Sequence, residues 1–347
     1  MRYREIDVAG TPSQLGQQTG ELARAEIQGF CEAALACVQR TVNISRGRAE
    51  SIAEACIEIA RAYSPDMIEE LAATANAADV TLVDLMLLQV RNQFTTEAES
   101  GCTALSVLQS ADGGIVAQNW DNDPELDEFT IVLTRRPTGK PALTTITQAG
   151  LISYIGFNDA GIGACLNTLP APSREMGVPH YFTVRGIYEA TSLDEAVEAV
   201  RRAQRAIPAN IILATPQGPA DLEVTIDDVH VLRDDANRYV THTNHCLHPD
   251  LVAINDDFPE LIQSRPRKAR INALLKEVGD SPDVGAIKTM LSDHDNYPRS
   301  ICRHSNDDSD CGFWQTVFSV IVEPAARRMH VSRGTPCDHP YETYHMV

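Results

Sequence analysis

The feature that most constrains this chain is a change of hydrophobic period at Gly101-Cys102-Thr103. Ahead of it the pattern is helical. Ile52, Cys56, Ile59 and Tyr63 share one helix face, and Thr81 to Asp84 forms an approximate capping box before the apolar run Leu85-Met86-Leu87-Leu88. Ser64-Pro65-Asp66 marks a turn between these blocks. The spacing predicts residues 1–101 as a helical N-terminal segment, set apart from residues 102–347.

Beyond Gly101, alternation with period two takes over. Thr103 to Leu108 and Ile115 to Trp120 read as strands around Asp112-Gly113-Gly114, and Phe129 to Arg136 pairs with Ala142 to Gln148 across a Pro-Thr-Gly-Lys turn. Ile152 to Phe157 and Ile162 to Asn167 flank the turn Asn158-Asp159-Ala160-Gly161. A helix follows Ser192, with Leu193, Ala196, Val197 and Val200 on one face and Ser192 to Glu195 as its capping box. Strands resume at Asn210 to Thr215, Asp221 to Ile226 and Tyr239 to Thr243. After Pro266 a second helix carries Ile271, Leu274, Leu275 and Val278 and stops at Gly279, and Ser281-Pro282 starts another. The strand pair Thr316 to Val322 and Met329 to Arg333 closes the chain. This order argues an α+β fold with antiparallel sheets. It is compatible with a four-layer α-β-β-α sandwich and with other α+β packings.

Composition narrows the function. The net charge of -19, from 48 acidic and 29 basic residues, disfavours a nucleic-acid or membrane-surface partner. Neither an apolar leader nor a run of membrane-spanning length is found, so the chain is expected to be cytoplasmic. Nine cysteines without a C-x-x-C pair suggest neither a disulfide framework nor a zinc ribbon. His242 and His245 are three apart, a spacing expected to place them on opposite strand faces, and Asp121 to Leu126 lacks the glycine of a calcium loop. Gly156 to Gly161 turns between strands and is no phosphate loop, and Trp120 and Trp314 are expected in the core. No metal and no cofactor are expected.

Cys102 needs a chemical explanation because of where it sits. A free thiol titrates near 8.5 and an α-amino group near 7.7 to 8.0, so a cysteine that is itself an N-terminus carries its own base. Cleavage between Gly101 and Cys102 creates that amine, and glycine suits the closely approached peptide that thiol attack requires.

Gly101-Cys102-Thr103, Gln118-Asn119-Trp120-Asp121, Thr241-His242-Thr243-Asn244-His245 and Asn296-Tyr297-Pro298-Arg299-Ser300-Ile301-Cys302-Arg303 follow one another in this order. Together with Glu323 to Arg327 and Gly334 to Cys337, they resemble the acyl-coenzyme A:6-aminopenicillanic acid (isopenicillin N) acyltransferase family, the C45 peptidase group of N-terminal-nucleophile (Ntn) hydrolases. The resemblance implies the four-layer Ntn sandwich and a self-cleaving precursor. Cys102 would be the processing and catalytic nucleophile, and Asp121 would hold its new ammonium or orient the attacked peptide. Asn244 would stabilise the oxyanion through its amide NH2, and Arg303 would hold a carboxylate or lower the thiol pKa. Gln118 occurs where bile-salt-type relatives usually carry arginine, which points to the acyltransferase branch.

The reaction implied is cleavage of a linear amide or thioester through S-acyl-Cys102, with transfer to water or an amine. The partners implied are a small-molecule acyl donor and the two cleaved fragments, which stay associated. Taken alone, each residue has a plainer reading: Cys102 as a packed thiol, Asp121 as a turn residue, Asn244 as a cap on a bend, Arg303 as a partner of Asp295 or Asp307. A non-catalytic acyl-ligand-binding scaffold and a papain-like enzyme using His242 or His245 as base are the competing readings.

Overall fold

The computed structural model describes residues 2–39, 42–94, 101–108, 113–234, 236–258, 260, 263–279, 281–308 and 312–347. Asp112 of the first expected turn and Cys311 lie outside them.

The chain opens on a strand, β1 (Arg4–Gly10), not on a helix. Its alternation is short, with Ile6 and Val8 buried between exposed neighbours, and it becomes a strand by pairing with a distant edge. Helices α1 (Pro12–Leu22), α2 (Arg24–Val38), α3 (Arg46–Tyr63), α4 (Pro65–Ala78) and α5 (Leu82–Val90) follow. Thr81 and Asp84 make the expected capping box, and Ser64 caps α4 with Pro65 in its first turn. Gly16 and Gly20 let α1 lie against α4: a Cβ at either would come within 2.1 Å of Glu70 O or 2.5 Å of Thr74 O.

Next come β2 (Thr103–Leu108), β3 (Gly114–Asn122), β4 (Thr130–Pro137), β5 (Leu143–Gln148), β6 (Ile155–Asn158) and β7 (Gly163–Asn167). Each of the three expected hairpins is present and antiparallel. Helix α6 (His180–Tyr188) had no counterpart in the sequence reading: Tyr181 to Tyr188 are all buried, so it carries no polar stripe and hence no helical period. Then follow α7 (Leu193–Arg201), β8 (Ala209–Thr215), β9 (Gly218–Val224), β10 (Val229–Leu232) and β11 (Tyr239–His242). Ser192 caps α7 as expected, whereas Glu195 reaches Thr191 rather than closing the box on Ser192.

The last elements are α8 (Ser264–Val278), α9 (Val284–Leu291), β12 (Gln315–Glu323), β13 (Arg328–Arg333) and β14 (Tyr341–His345). Helix α8 begins before Pro266, which falls in the first turn, where its missing N–H has no intrahelical acceptor to lose. Its buried face is Ser264, Arg267, Ile271 and Leu275, and Val278 is exposed. Strands β10 and β14 are short edge strands that went unread in the sequence.

The strands form an eight-stranded sheet, β1-β4-β5-β6-β7-β8-β9-β10, and a six-stranded sheet, β11-β2-β3-β12-β13-β14. Among the described residues every pairing between these strands is antiparallel except β1 with β4, an exception to the expected all-antiparallel order. Sheet packs on sheet through β2 and β3 against β7 and β8. Gly163 marks the close approach, since a Cβ there would meet Pro324 at 2.7 Å and Val116 at 3.0 Å.

Period two then divides β3 between two cores. Val116 and Trp120 join the core between the sheets, which continues into the helices α1 to α7. Ile115 and Ala117 join a smaller core beneath α8 and α9. The layers are therefore helix, sheet, sheet, helix, an α+β sandwich of the kind the resemblance implies. Among the described residues no helix is long and apolar enough to cross a membrane.

Candidate active site

Cys102 stands immediately before β2, at the end of the six-stranded sheet where β2, β3, β11 and α8 converge. It is 1% exposed, and Gly101 is buried beside it. Strand pairing sets Thr103 opposite Asn119 and Ala104 opposite Gln118, which brings the start of β2 to the Gln118-to-Asp121 end of β3. Burial and the negative charge of Asp121 push the Cys102 thiol up to about 12, while hydrogen bonds from the Asp121 backbone and the Gln118 side chain pull it back.

The backbone N–H of Cys102 donates to Asn244 Oδ1 at 2.9 Å. Arg267 donates to the same oxygen at 2.8 Å, to the Cys102 carbonyl and to Thr103 Oγ1 at 3.0 Å. With two donors on Oδ1, the amide orientation of Asn244 follows from the network, and its Nδ2 donates to Thr168 O at 3.0 Å. Ser264, the first residue of α8, accepts from Asn244 N at 2.8 Å and lies 2.7 Å from His245 Nδ1. Asn244 thus presents an oxygen to the Cys102 nitrogen, and one of its two amide hydrogens is committed to Thr168.

Asp121 is fully buried. Thr316 Oγ1 donates to its Oδ1 at 2.7 Å, and Oδ2 has no hydrogen-bond partner among the described residues. Burial raises this carboxyl to about 7, against the opposing charges of Arg267 and Arg303. Arg303 is fully buried as well. Its Nε donates to Trp314 O at 3.0 Å, and its backbone N–H donates to Thr316 Oγ1 at 3.0 Å. Its charge faces Asp121, whereas Asp295 lies beside Arg270 and Asp307 is exposed. Asn119 fastens the Arg303 loop by donating to Leu291 O and Ile301 O at 2.8 and 2.9 Å.

The four residues expected at the site thus meet around one point, and two more join them. Arg267 is the larger omission of the sequence reading. Its signal was a cation on the otherwise apolar stripe of α8, in register with Ile271 and Leu275. Thr316 has no sequence signal of its own. It becomes the link between Asp121 and Arg303 through its register with Asp121 across the β3–β12 pair.

The two histidines of the Asn244 segment are held elsewhere. Strand β11 ends at His242, so strand alternation does not carry on to His245, and the rings lie 6.4 Å apart rather than on opposite faces. His242 Nε2 lies 2.9 Å from Glu223. Among the described residues no imidazole is bonded to the Cys102 thiol. Trp120 donates to Tyr154 OH at 2.8 Å, and the Tyr154 ring packs edge-on against Tyr181 at 5.4 Å, forming an aromatic wall beside Cys102.

The chain is 29% identical, over 99% of its length and 95% of the relative's, to the acyl-coenzyme A:6-aminopenicillanic-acid-acyltransferase 40 kDa form of Emericella nidulans. Among solved structures it is similar to penicillin V acylase from Agrobacterium tumefaciens, with a TM-score of 0.47, 11% identity and coverage of 67% of this chain and 83% of that one. A variant of conjugated bile acid hydrolase from Clostridium perfringens gives 0.46, 12%, 71% and 97%. The family model for acyl-coenzyme A:6-aminopenicillanic acid acyl-transferase matches residues 108–338, from the end of β2 to beyond β13, and the chain belongs to that family.

Proposed function

We propose that this chain is a self-processing cysteine enzyme of the Ntn type that takes an acyl group from a small-molecule amide or thioester onto Cys102 and passes it to water or an amine. The observation that carries this reading is the seat of the Cys102 nitrogen on Asn244 Oδ1, an oxygen to which Arg267 also donates, with the charge of Asp121 bearing on the Cys102 thiol. That nitrogen is the atom that cleavage of Gly101-Cys102 would turn into the catalytic base. A relative spanning nearly the whole chain, named as an acyltransferase, supports acyl chemistry.

In the first stage the Cys102 sulfur attacks the Gly101 carbonyl carbon, the thiol proton passes to the Cys102 nitrogen, and the C–N bond breaks to leave a thioester and a free α-amine on Cys102. Water then hydrolyses the thioester, releasing residues 1–101 with a C-terminal carboxylate and residues 102–347 with Cys102 at the N-terminus. Asp121, with a carboxyl raised to about 7, is placed to accept a proton near neutral pH.

In the second stage the α-amine takes the thiol proton as sulfur attacks a substrate carbonyl. Asn244 Oδ1 holds the amine, and Asp121 Oδ2, which has no hydrogen-bond partner among the described residues, stabilises the ammonium that forms. Arg267 and Arg303 both bring positive charge to bear on Asp121, and that charge stabilises the oxyanion that develops beside it. The second amide hydrogen of Asn244 adds a donor. Hydrolysis and transfer share each step up to the S-acyl enzyme, and the acceptor admitted to the pocket decides between them.

The fragments remain one body in this reading. Strand β1 is hydrogen-bonded to β4, and Glu70 of α4 pairs with Arg135 of β4 at 2.7 Å and with Arg185 of α6 at 3.1 Å, all three buried.

Intact-mass measurement of wild type and Cys102→Ala, beside a turnover assay on a panel of short-chain, aromatic and aminoacyl amides, tests the proposal. Fragments 1–101 and 102–347 are expected from the wild type alone. A wild type that stays whole and turns over no amide or thioester would remove the reading.

A further inference from the structure

Apart from the Cys102 site, four soft donor atoms converge beside the loop that delivers Arg303. His294 lies just after α9, Cys302 and His304 flank Arg303, and Cys337 lies between β13 and β14. All four ligand atoms lie within 4.8 Å of one another. The individual separations are 3.5 Å for Cys302 Sγ to Cys337 Sγ, 3.6 Å for Cys302 Sγ to His304 Nε2 and 3.4 Å for Cys337 Sγ to His304 Nε2. His294 Nε2 and His304 Nε2 are 3.1 Å apart.

These lengths can be compared with the edges of a coordination tetrahedron. Zinc–sulfur bonds of ~2.3 Å and zinc–nitrogen bonds of ~2.0 to 2.1 Å give edges of about 3.8 Å between sulfurs, about 3.6 Å from sulfur to nitrogen and about 3.3 Å between nitrogens. The four observed separations fall within a few tenths of an ångström of them. A disulfide is not the explanation, because a sulfur–sulfur bond is about 2.05 Å and both cysteines are free thiols at 3.5 Å.

We propose that His294, Cys302, His304 and Cys337 form a structural zinc site of the Cys2His2 type. The donor set selects a thiophilic, tetrahedral divalent cation, and four protein ligands close its shell, leaving no open position for a substrate. Binding displaces the two thiol protons, so two thiolates neutralise the ion without any change of oxidation state. The expectation of no metal rested on the lack of a C-x-x-C pair, the spacing of His242 and His245 and the missing glycine after Asp121. Here the ligands come as Cys302-x-His304 plus one histidine upstream and one cysteine downstream, a set that sequence spacing does not reveal.

The site ties the segment from His294 to His304 to the stretch after β13. Cys302 N already donates to Asp293 O at 3.0 Å and His304 N to Pro298 O at 3.0 Å, so the backbone presents both ligands before any ion arrives. Arg303, between the two ligands, turns its own side chain the other way, to Trp314 O.

Elemental analysis of the full chain, purified without chelator, is expected to find about one zinc per chain. Cobalt exchange should give the ligand-field bands of a tetrahedral ion together with a thiolate charge-transfer band. His294→Ala, at an exposed position, should keep the fold by circular dichroism and lose tight retention of zinc, and Cys302→Ser with Cys337→Ser should lose the charge-transfer band. Wild-type protein with a native spectrum that takes up neither zinc nor cobalt would overturn the site. Recovery of a Cys302–Cys337 disulfide peptide from freshly purified protein would overturn it too. Neither result would bear on processing at Cys102.

Discussion

Cys102 N donates its hydrogen bond to Asn244 Oδ1 at 2.9 Å, across 142 residues of sequence. Asn244→Ala deletes both the acceptor for the future amine and a donor for the oxyanion. Turnover should fall about 10²- to 10³-fold, the usual loss for one oxyanion donor. Steady-state kinetics on processed protein, with fold checked by circular dichroism, would test this, and unchanged kcat would count against the assigned role.

Asp121 carries opposite consequences for activity and stability. Its folded pKa of about 7 lies above the ordinary 3.8 because of burial, so the folded state favours the protonated form and loses stability as pH rises toward and through 7. Processing that needs the carboxylate should instead rise over the same range. Asp121→Asn should abolish processing while gaining stability relative to wild type at pH about 8. A urea-midpoint series and intact-mass time courses across pH read the two effects separately.

Arg267 contacts Cys102 O, Thr103 Oγ1 and Asn244 Oδ1 from one guanidinium. Lysine cannot reproduce this fork. Arg267→Lys should slow fragment formation and cost about 1 to 3 kcal/mol through unpaired buried acceptors. A variant processed at the wild-type rate would show that Arg267 only supports the fold.

His242 and Glu223 make a buried pair whose pH window follows from their shifts. Burial disfavours the His242 cation, but Asp221 and Glu223 outweigh it and raise the pKa, so the stabilisation is complete below 6.5 and lost as pH rises through the higher folded value. For Glu223, burial is outweighed by hydrogen bonds from His242 and the backbone, which lower its pKa. Its stabilisation is present above 4.5 and lost as pH falls through the lower folded value. The pair should contribute most between about 4.5 and 6.5. His242→Gln should flatten the pH–stability curve there and leave acylation of Cys102 standing. Loss of acylation with the fold intact would revive a papain-like base.

Among the described residues Glu70 is the single carboxylate bonded to Arg135 in the buried cluster of α4, β4 and α6, while Arg185 also reaches Glu189 at 3.3 Å. Glu70→Gln strands the buried Arg135 cation, leaves Arg185 with Glu189 alone and should cost about 3 to 5 kcal/mol. Urea denaturation followed by size-exclusion chromatography would show the loss and, after processing, release of fragment 1–101 at lower denaturant.

Local patterns carried much of the fold. The hairpins from Thr103 to Asn167, the capping box at Thr81 and the α7 stripe are near-neighbour features, so spacing alone exposed them. Strand β1 and helix α6 escaped for opposite reasons. One has too few residues to display its period, and the other is buried on every side and displays none.

The ordered motifs in the sequence were enough to single out Cys102, Asp121, Asn244 and Arg303 as candidates and to point to the family to which the chain belongs. Tertiary structure alone decided that Arg267 and Thr316 join them, that Asn244 turns its oxygen rather than its amide nitrogen toward Cys102, and that two cysteines and two histidines converge beside Arg303. The reason is physical. A motif records side chains that are neighbours along the chain, whereas the direction of a buried amide, guanidinium or thiol is set by which donors and acceptors packing leaves unsatisfied around it.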